Sequence, residues 1–115
     1  YASHPDHLAA GEATIRAIYP ASENPHAWPE LVHREELPAY RVPEIWLMGH
    51  PDPNHAVDVT DVIDRKLAAL RAHASQTGHM EDLEERVRGM AAASAEQAGL
   101  PEGRLAELFK RIVIA

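Results

Sequence analysis

The stretch Arg41-Val42-Pro43-Glu44-Ile45-Trp46-Leu47-Met48-Gly49 decides the fold class. It is an apolar run too short for a helix and bounded by Gly49 and Pro51, so it is predicted to be a buried strand. Pro43, which cannot donate to a ladder, puts the start of that strand at an edge or entry. Downstream, His50-Pro51-Asp52-Pro53-Asn54-His55 reads as a loop, and Ala56 to Val59 as another short strand. Thr60 or Asp61 is expected to cap a helix that carries Ile63, Leu67, Leu70 and His73/Ala74 along one side. A second helix is predicted from about Met80 to Ala98, with Met80, Leu83, Val87, Met90 and Ser94 facing inward. Its solvated side carries the pairs Asp82→Arg86 and Glu84→Arg88. Gly99 and Pro101 end it, and Leu108 to Ile114 reads as a terminal strand.

Upstream of the strand, Pro20 to Pro38 is rich in proline, asparagine and serine and reads as an irregular connection with one short helix around Glu30 to Glu36. Before it, Ser3 to Tyr19 is predicted to be helical. Ser3-x-x-Asp6 has the form of a capping box, Pro5 sits in the first turn where its missing N–H costs nothing, and Pro20 stops the helix. His4, His7/Leu8, Gly11, Ile15 and Ile18/Tyr19 then share a face, so the histidines are expected to continue a buried stripe. Strands separated by helices make this an α/β chain. Two or three short strands cannot form a sheet covered on both faces, so further strands are expected before Tyr1.

With 115 residues the chain is one domain at most, and it is read as a partial single domain over 1–115. It begins with Tyr1 rather than Met, and a His/Asp cluster follows three residues later with no element before it to pack against. The expectation is a cut chain. A net charge of −7, from 18 acidic and 11 basic side chains, argues against a phosphate-binding face and hence against nucleic acid. No apolar run approaches the roughly 20 residues that cross a bilayer, and no secretory leader is visible, so no membrane association is expected. The absence of Cys excludes disulfides and thiolate metal sites and fits a reducing cytoplasm. Any metal must then be held by histidine and carboxylate, and the chain has eight His.

His4 and His7 are three apart, so on a helical turn both rings project to one side and can address one metal or one substrate. Imidazole suits zinc, but a catalytic zinc needs three protein ligands and an open position for water. On spacing alone two readings stay open: part of a metal site, or a capped helix start with exposed polar side chains.

The stretch Ser3-His4-Pro5-Asp6-His7-Leu8-Ala9-Ala10-Gly11 resembles the second active-site motif, H-P-D-H-x-A-A-G, of the PIG-L/LmbE-like zinc-dependent N-acetylglucosaminyl deacetylases. Later blocks are similar in order and spacing: Trp46 to Gly49; Pro53-Asn54-His55-Ala56-Val57-Asp58-Val59-Thr60; Lys66-x-x-Ala69-Leu70-x-x-His73-x-Ser75-Gln76; and Ala106-Glu107-x-Phe109. The resemblance implies the C-terminal part of a Rossmann-like α/β sandwich, with the N-terminal strands missing from this chain. The implied cofactor is one Zn²⁺, and the implied reaction is hydrolysis of an N-acetyl group on a small amino-sugar conjugate. Carried over residue by residue, His7 matches a zinc ligand and His4 the general acid or oxyanion stabiliser, while Asp6 matches the carboxylate that orients its neighbouring histidine.

The family's other zinc ligands and its general base lie in an A-H-P-D-D-E motif that is absent here and is expected before Tyr1. His50-Pro51-Asp52 continues with Pro53-Asn54 rather than Asp-Glu and is read as loop. His55 is the candidate substrate-binding residue, because the resemblance puts its loop at the pocket mouth. His73, on an apolar stripe, is expected to be a hydrogen-bonded core histidine, and Trp28 and Trp46 to be core packing. Asp61 and Asp64 answer the helix macrodipole, and Glu81 to Glu85 form a solvated face. On this reading the isolated chain is catalytically inert. The rival readings are a self-contained His/Asp metal module, drawing on His4, Asp6, His7 and His50 or His55, and an inactive sugar-binding relative of the deacetylases.

Overall fold

The computed structural model describes residues 4–114. The chain falls into two compact units, Tyr1–Ile45 with Val113–Ala115, and Trp46–Ile112. Helices and a small sheet bear out the α/β class in its coarse form.

In the first unit, helix α1 spans Pro5–Arg16 and passes into a wide helical turn over Ala17–Ala21, where Tyr19 leaves the helical region and the Tyr19–Pro20 peptide is cis. The residue that caps α1 is His4, whose ring accepts the Asp6 N–H. Ser3, on which the capping-box reading rests, lies outside the described residues. The expected buried stripe is not buried: α1 has no buried residue, and Leu8 and Ile15 are both exposed. Helix α2, Pro29–His33, is the short helix expected in the irregular connection, with Pro29 at its first position. Trp28 is exposed, which corrects its reading as core. Near the end of this unit the Tyr40 N–H donates to the Ser22 carbonyl at 2.7 Å, tying the connection back onto the turn after α1.

Strand β1 is Glu44–Met48, starting one residue after Pro43, and β2 is His55–Asp58. After a 3₁₀ turn over Thr60–Val62 come α3, Ile63–Ala72, and α4, Ala74–Thr77. Then follow α5, Leu83–Gln97, and β3, Ala106–Val113. The sheet order is β1–β3–β2. The β2–β3 pair is antiparallel, in the register His55↔Phe109, Ala56↔Leu108, Val57↔Glu107 and Asp58↔Ala106.

The core of the second unit is Val59, Ile63 and Ala91, with Val57, Val87 and Leu105 packed against it, and Leu67, Leu83, Ala95 and Ala106 are also buried. The inward face of α5 is therefore Leu83, Val87, Ala91 and Ala95, at steps of four. Met90, predicted to point in, is 73% exposed. Helix α5 ends as its sequence requires. Gly99 takes a φ of +70°, its N–H reaches the Glu96 carbonyl, and Leu100 N–H reaches Ala95, a pairing that needs the left-handed residue glycine supplies.

Neither Thr60 nor Asp61 caps α3. The Asp58 carboxylate instead receives both the N–H and the hydroxyl of Thr60, at 3.0 and 2.6 Å, and the Thr60 hydroxyl oxygen accepts the Leu105 N–H at 2.9 Å. These bonds fix the turn out of β2 and attach it to the approach to β3. They also hold the Asp58 carboxyl below its ordinary range, with Arg104 adding a smaller effect. His73 is exposed at the C-terminus of α3 with non-helical backbone, so it is not the core histidine expected. On the solvent side Glu84 is shared by Arg71, at 2.8 Å, and Arg88, at 3.0 Å, and Arg88 also reaches Asp64 on α3. The predicted Asp82→Arg86 pair is present at 3.6 Å.

Two stability outcomes follow from this packing. Leu67, 2% exposed, should cost about 2–5 kcal/mol when replaced by alanine, whereas Met90→Ala should stay within about 0.5 kcal/mol, as read from urea unfolding. Hydrogen bonds from Arg71 and then Arg88 lower the Glu84 pKa below its ordinary 4.5, so its contribution is present above that value and is lost as pH falls through the lower folded one. Melting temperature should therefore decline in that acid window, and Glu84→Gln should remove part of the decline.

Candidate functional site

The N-terminus of α1 is built by its own sequence. His4 is held extended, at φ −59° and ψ 138°, the conformation favoured before a proline, and Pro5 starts the helix with φ already set. The His4 carbonyl then takes the N–H groups of His7, at 2.9 Å, and Leu8, at 3.3 Å. The Asp6 N–H, otherwise without a helical acceptor, donates to His4 Nδ1 at 3.2 Å. Asp6 itself lies in the first turn, where the helix dipole favours a negative charge.

This brings together the three residues singled out from the motif. The His4 and His7 rings are 6.1 Å apart between centroids and tilted by 55°. The Asp6 carboxylate lies 3.6 Å from His4 Nδ1, beyond hydrogen-bond length, so the ring is held by the backbone of Asp6 rather than by its side chain. Both side chains are open, His4 at 67% and Asp6 at 87% exposure. The His7 ring has no hydrogen-bond partner among the described residues, which leaves its nitrogens available to a ligand. Two imidazoles and one carboxylate on a single turn can donate a proton, accept one, and offer a ligand to a cation. They do not complete a cage: among the described residues no group of three or more His, Asp or Glu could hold a metal ion. A self-contained metal module would need such a group.

His55 belongs to the second unit. It opens β2 half-buried, with its ring edge-on to Trp46 at 4.4 Å, and Trp46 also lies 5.5 Å from Phe109. The three rings thus span the three strands of the sheet. Beside them is a cavity of about 270 Å³ bordered by Asn54, His55, Gln97 and Leu108. Asn54 is placed firmly. Its N–H donates to the Phe109 carbonyl at 3.0 Å, its side-chain amide to the Arg111 carbonyl at 3.1 Å, and its side-chain oxygen accepts the Arg111 N–H at 2.7 Å. The side chain thereby does the work of one more ladder residue and carries the β2–β3 pairing past His55.

The loop between β1 and β2 is fastened in the same way. The Asp52 carboxylate pairs with Lys110 at 2.6 Å, and this hydrogen bond holds its pKa low. His50 Nδ1 accepts the Asp52 N–H at 3.0 Å. His50 borders a larger groove of about 640 Å³, walled by Met48, Leu70, Val87, Met90 and Phe109. Sequence reasoning missed the anchoring roles of Asn54, Asp52 and Lys110, as well as the pair between Lys66 and Glu107. For Asn54 the signal was present, since an Asn just ahead of a strand can substitute for backbone. The charged pairs join residues more than 40 positions apart and leave no local pattern.

Asn54→Ala removes two hydrogen bonds to β3 and should destabilise the second unit by about 1–3 kcal/mol, with a shift in Trp46 fluorescence as its ring contacts loosen.

Among the described residues no helix is long and apolar enough to cross a membrane. No family model matches the chain. Two curated proteins are similar to it. One, from Bacillus subtilis (strain 168), is named "Probable N-acetyl-alpha-D-glucosaminyl L-malate deacetylase 2"; it is 36% identical over 92 residues, covering 74% of this chain and 35% of the relative. The other, from Bacillus cereus, carries the same name and is 36% identical over 96 residues, covering 79% of this chain and 38% of the relative. The chain thus spans little more than a third of the length of these relatives, and over that third it is similar to N-deacetylases of LmbE/PIG-L type.

Proposed function

We propose that the protein carrying this chain is a zinc-dependent hydrolase that removes an N-acetyl group from an N-acetylglucosamine-type glycoside or related conjugate. On this reading the chain supplies one zinc ligand, His7, and the general acid, His4, within the C-terminal part of a Rossmann-like α/β sandwich. The observation that carries the proposal is the pair of imidazoles that His4-Pro5-Asp6-His7 sets on the first turn of α1, in a chain 36% identical over 92 and 96 residues to two proteins named "Probable N-acetyl-alpha-D-glucosaminyl L-malate deacetylase 2".

His7 suits the ion as one donor of a larger set, because it presents an unpaired imidazole, the ligand chemistry zinc favours. Zinc, when bound, supplies Lewis acidity toward the acetyl carbonyl and toward water. His4 acts on the other side of the reaction. Its Nδ1 accepts the Asp6 N–H, so in the neutral ring the proton sits on Nε2. The Nε2–H can donate a hydrogen bond to the developing oxyanion; when the ring is charged, that one proton can pass to the departing amine, which would otherwise leave as an unstable anion, and the ring returns to neutral. The Asp6 carboxylate, 3.6 Å from His4 Nδ1, balances the charged form of the ring. His55, beside Trp46, is proposed to meet the sugar portion of the substrate.

The test uses the full-length protein with an N-acetylglucosaminyl conjugate, measuring acetate release and bound zinc. His4→Asn, which keeps a hydrogen-bond acceptor at the same place, should lower turnover by about 10²–10⁴ with zinc retained. His7→Ala should lose the zinc. Full zinc in His7→Ala, or undiminished acetate release in His4→Asn, would overturn the assignments.

A further inference from the structure

The chain contains H-P-D twice, at His4-Pro5-Asp6 and His50-Pro51-Asp52, and the two lie in different settings, one at a helix start and one in a loop between strands. In both, the imidazole Nδ1 receives the backbone N–H of the aspartate two residues on, at 3.2 and 3.0 Å. The recurrence follows from the tripeptide. Proline fixes φ at the middle position and has no N–H of its own, so the next amide proton is the first available, and it falls on the ring. At His50 the Asp52 carbonyl also lies 3.2 Å from Nδ1 and would suit the opposite tautomer. At His4 the competing oxygen, of the Asp6 carboxylate, is at 3.6 Å, so the amide donor prevails.

We propose that His4 is a positioning residue for His7 in addition to its role as acid: its ring caps α1, fixes the turn that presents His7, and is thereby locked in the tautomer with the proton on Nε2. His7 lies within the first turn, and its own N–H bonds to the His4 carbonyl at 2.9 Å. Among the described residues α1 has no buried side chain, so within them this end of the helix is held by the bonds that His4 makes through its ring and its carbonyl. Loss of the His4 ring would free the Asp6 N–H and fray the turn, moving the His7 imidazole away from any fixed direction. The capping role stands on this geometry alone; its consequence for the metal rests on the function proposed above.

The experiment compares wild type, His4→Ala and His4→Asn in the full-length protein. Its readouts are amide hydrogen exchange over Asp6 to Leu8, ring ¹⁵N shifts of residue 4, and zinc affinity by chelator competition. In the wild type the neutral His4 ring should show a protonated Nε2 and a bare Nδ1. His4→Ala should exchange the Asp6 and His7 amides roughly fivefold faster and bind zinc roughly fivefold more weakly, the usual worth of an N-cap. Asn, among the best capping residues, should return both to within about twofold of wild type while leaving turnover low. A proton on Nδ1, unchanged exchange in His4→Ala, or failure of Asn to restore exchange and affinity would overturn the proposal. A wild type that binds no zinc but shows the expected tautomer and exchange pattern would overturn the metal reading alone and support the cap.

Discussion

The second unit depends on how closely α5 can approach α3 and β2. Ala91 and Ala95 are both buried on the inner face of α5, and Ala91 packs in one cluster with Val59 and Ile63. Such packing is dense but buries little, since alanine contributes one methyl group where leucine contributes four carbons. The electrostatic links across the same elements then gain importance as a set. Arg88 joins Asp64 of α3 to Glu84 of α5, Arg71 reaches Glu84 from α3, and Lys66 ties α3 to Glu107 on β3. Each pair, exposed as it is, contributes little alone. Together they restrict the sliding of α3 against α5 that an alanine-lined contact would otherwise tolerate.

The elements of the fold were legible wherever the signal was local. The apolar run at Ile45 to Met48, the Gly99 stop and the tail from Leu108 to Ile114 each led to the right element, because backbone preference and turn chemistry act over a few residues. Leu83 and Val87 were placed correctly on the inward face of α5, but Met90 was preferred to Ala91 and Ala95 because it ranks above them in hydrophobicity, whereas packed helix faces also take small residues. The cap of α3 was misplaced for a related reason. Asp58 sits at the end of a strand and looked like a strand residue, yet its carboxylate holds Thr60 and so organises the turn. The ties at Asp52–Lys110 and Asn54–Arg111 required the register of β2 against β3, which no local pattern contains.

The candidate site was legible in a different sense. That His4, Asp6 and His7 share one turn follows from their spacing, and the structure brings them together as expected. What spacing could not supply was the bond that orients the ring. The expectation assigned that task to the Asp6 side chain; the geometry gives it to the Asp6 amide, which leaves the carboxylate free at the surface. The distinction matters chemically. A carboxylate on Nδ1 stabilises the charged ring, whereas an amide donor on Nδ1 stabilises the neutral ring with its proton at the far nitrogen. The bond to Nδ1 therefore suits a ring that hydrogen-bonds the oxyanion through Nε2, and it must open before the ring takes up the second proton that an acid gives away.

The two H-P-D segments show why the same tripeptide leads to different chemistry. At His50 the chain leaves Asp52 for Pro53 and Asn54, the carboxylate is taken by Lys110, and no second imidazole follows within a turn. At His4 the chain enters a helix, the carboxylate stays free of lysine and arginine among the described residues, and His7 arrives one turn later on the same side. The local bond is therefore insufficient by itself for a site; the helix that follows supplies the second imidazole. One ligand, His7, is two short of a catalytic zinc, and the curated relatives extend over nearly three times the length that this chain matches. The donor count and the length ratio are independent observations. On the proposed reading both assign the finished metal centre to the protein as a whole, with this chain contributing the acid and the helix that aims one ligand.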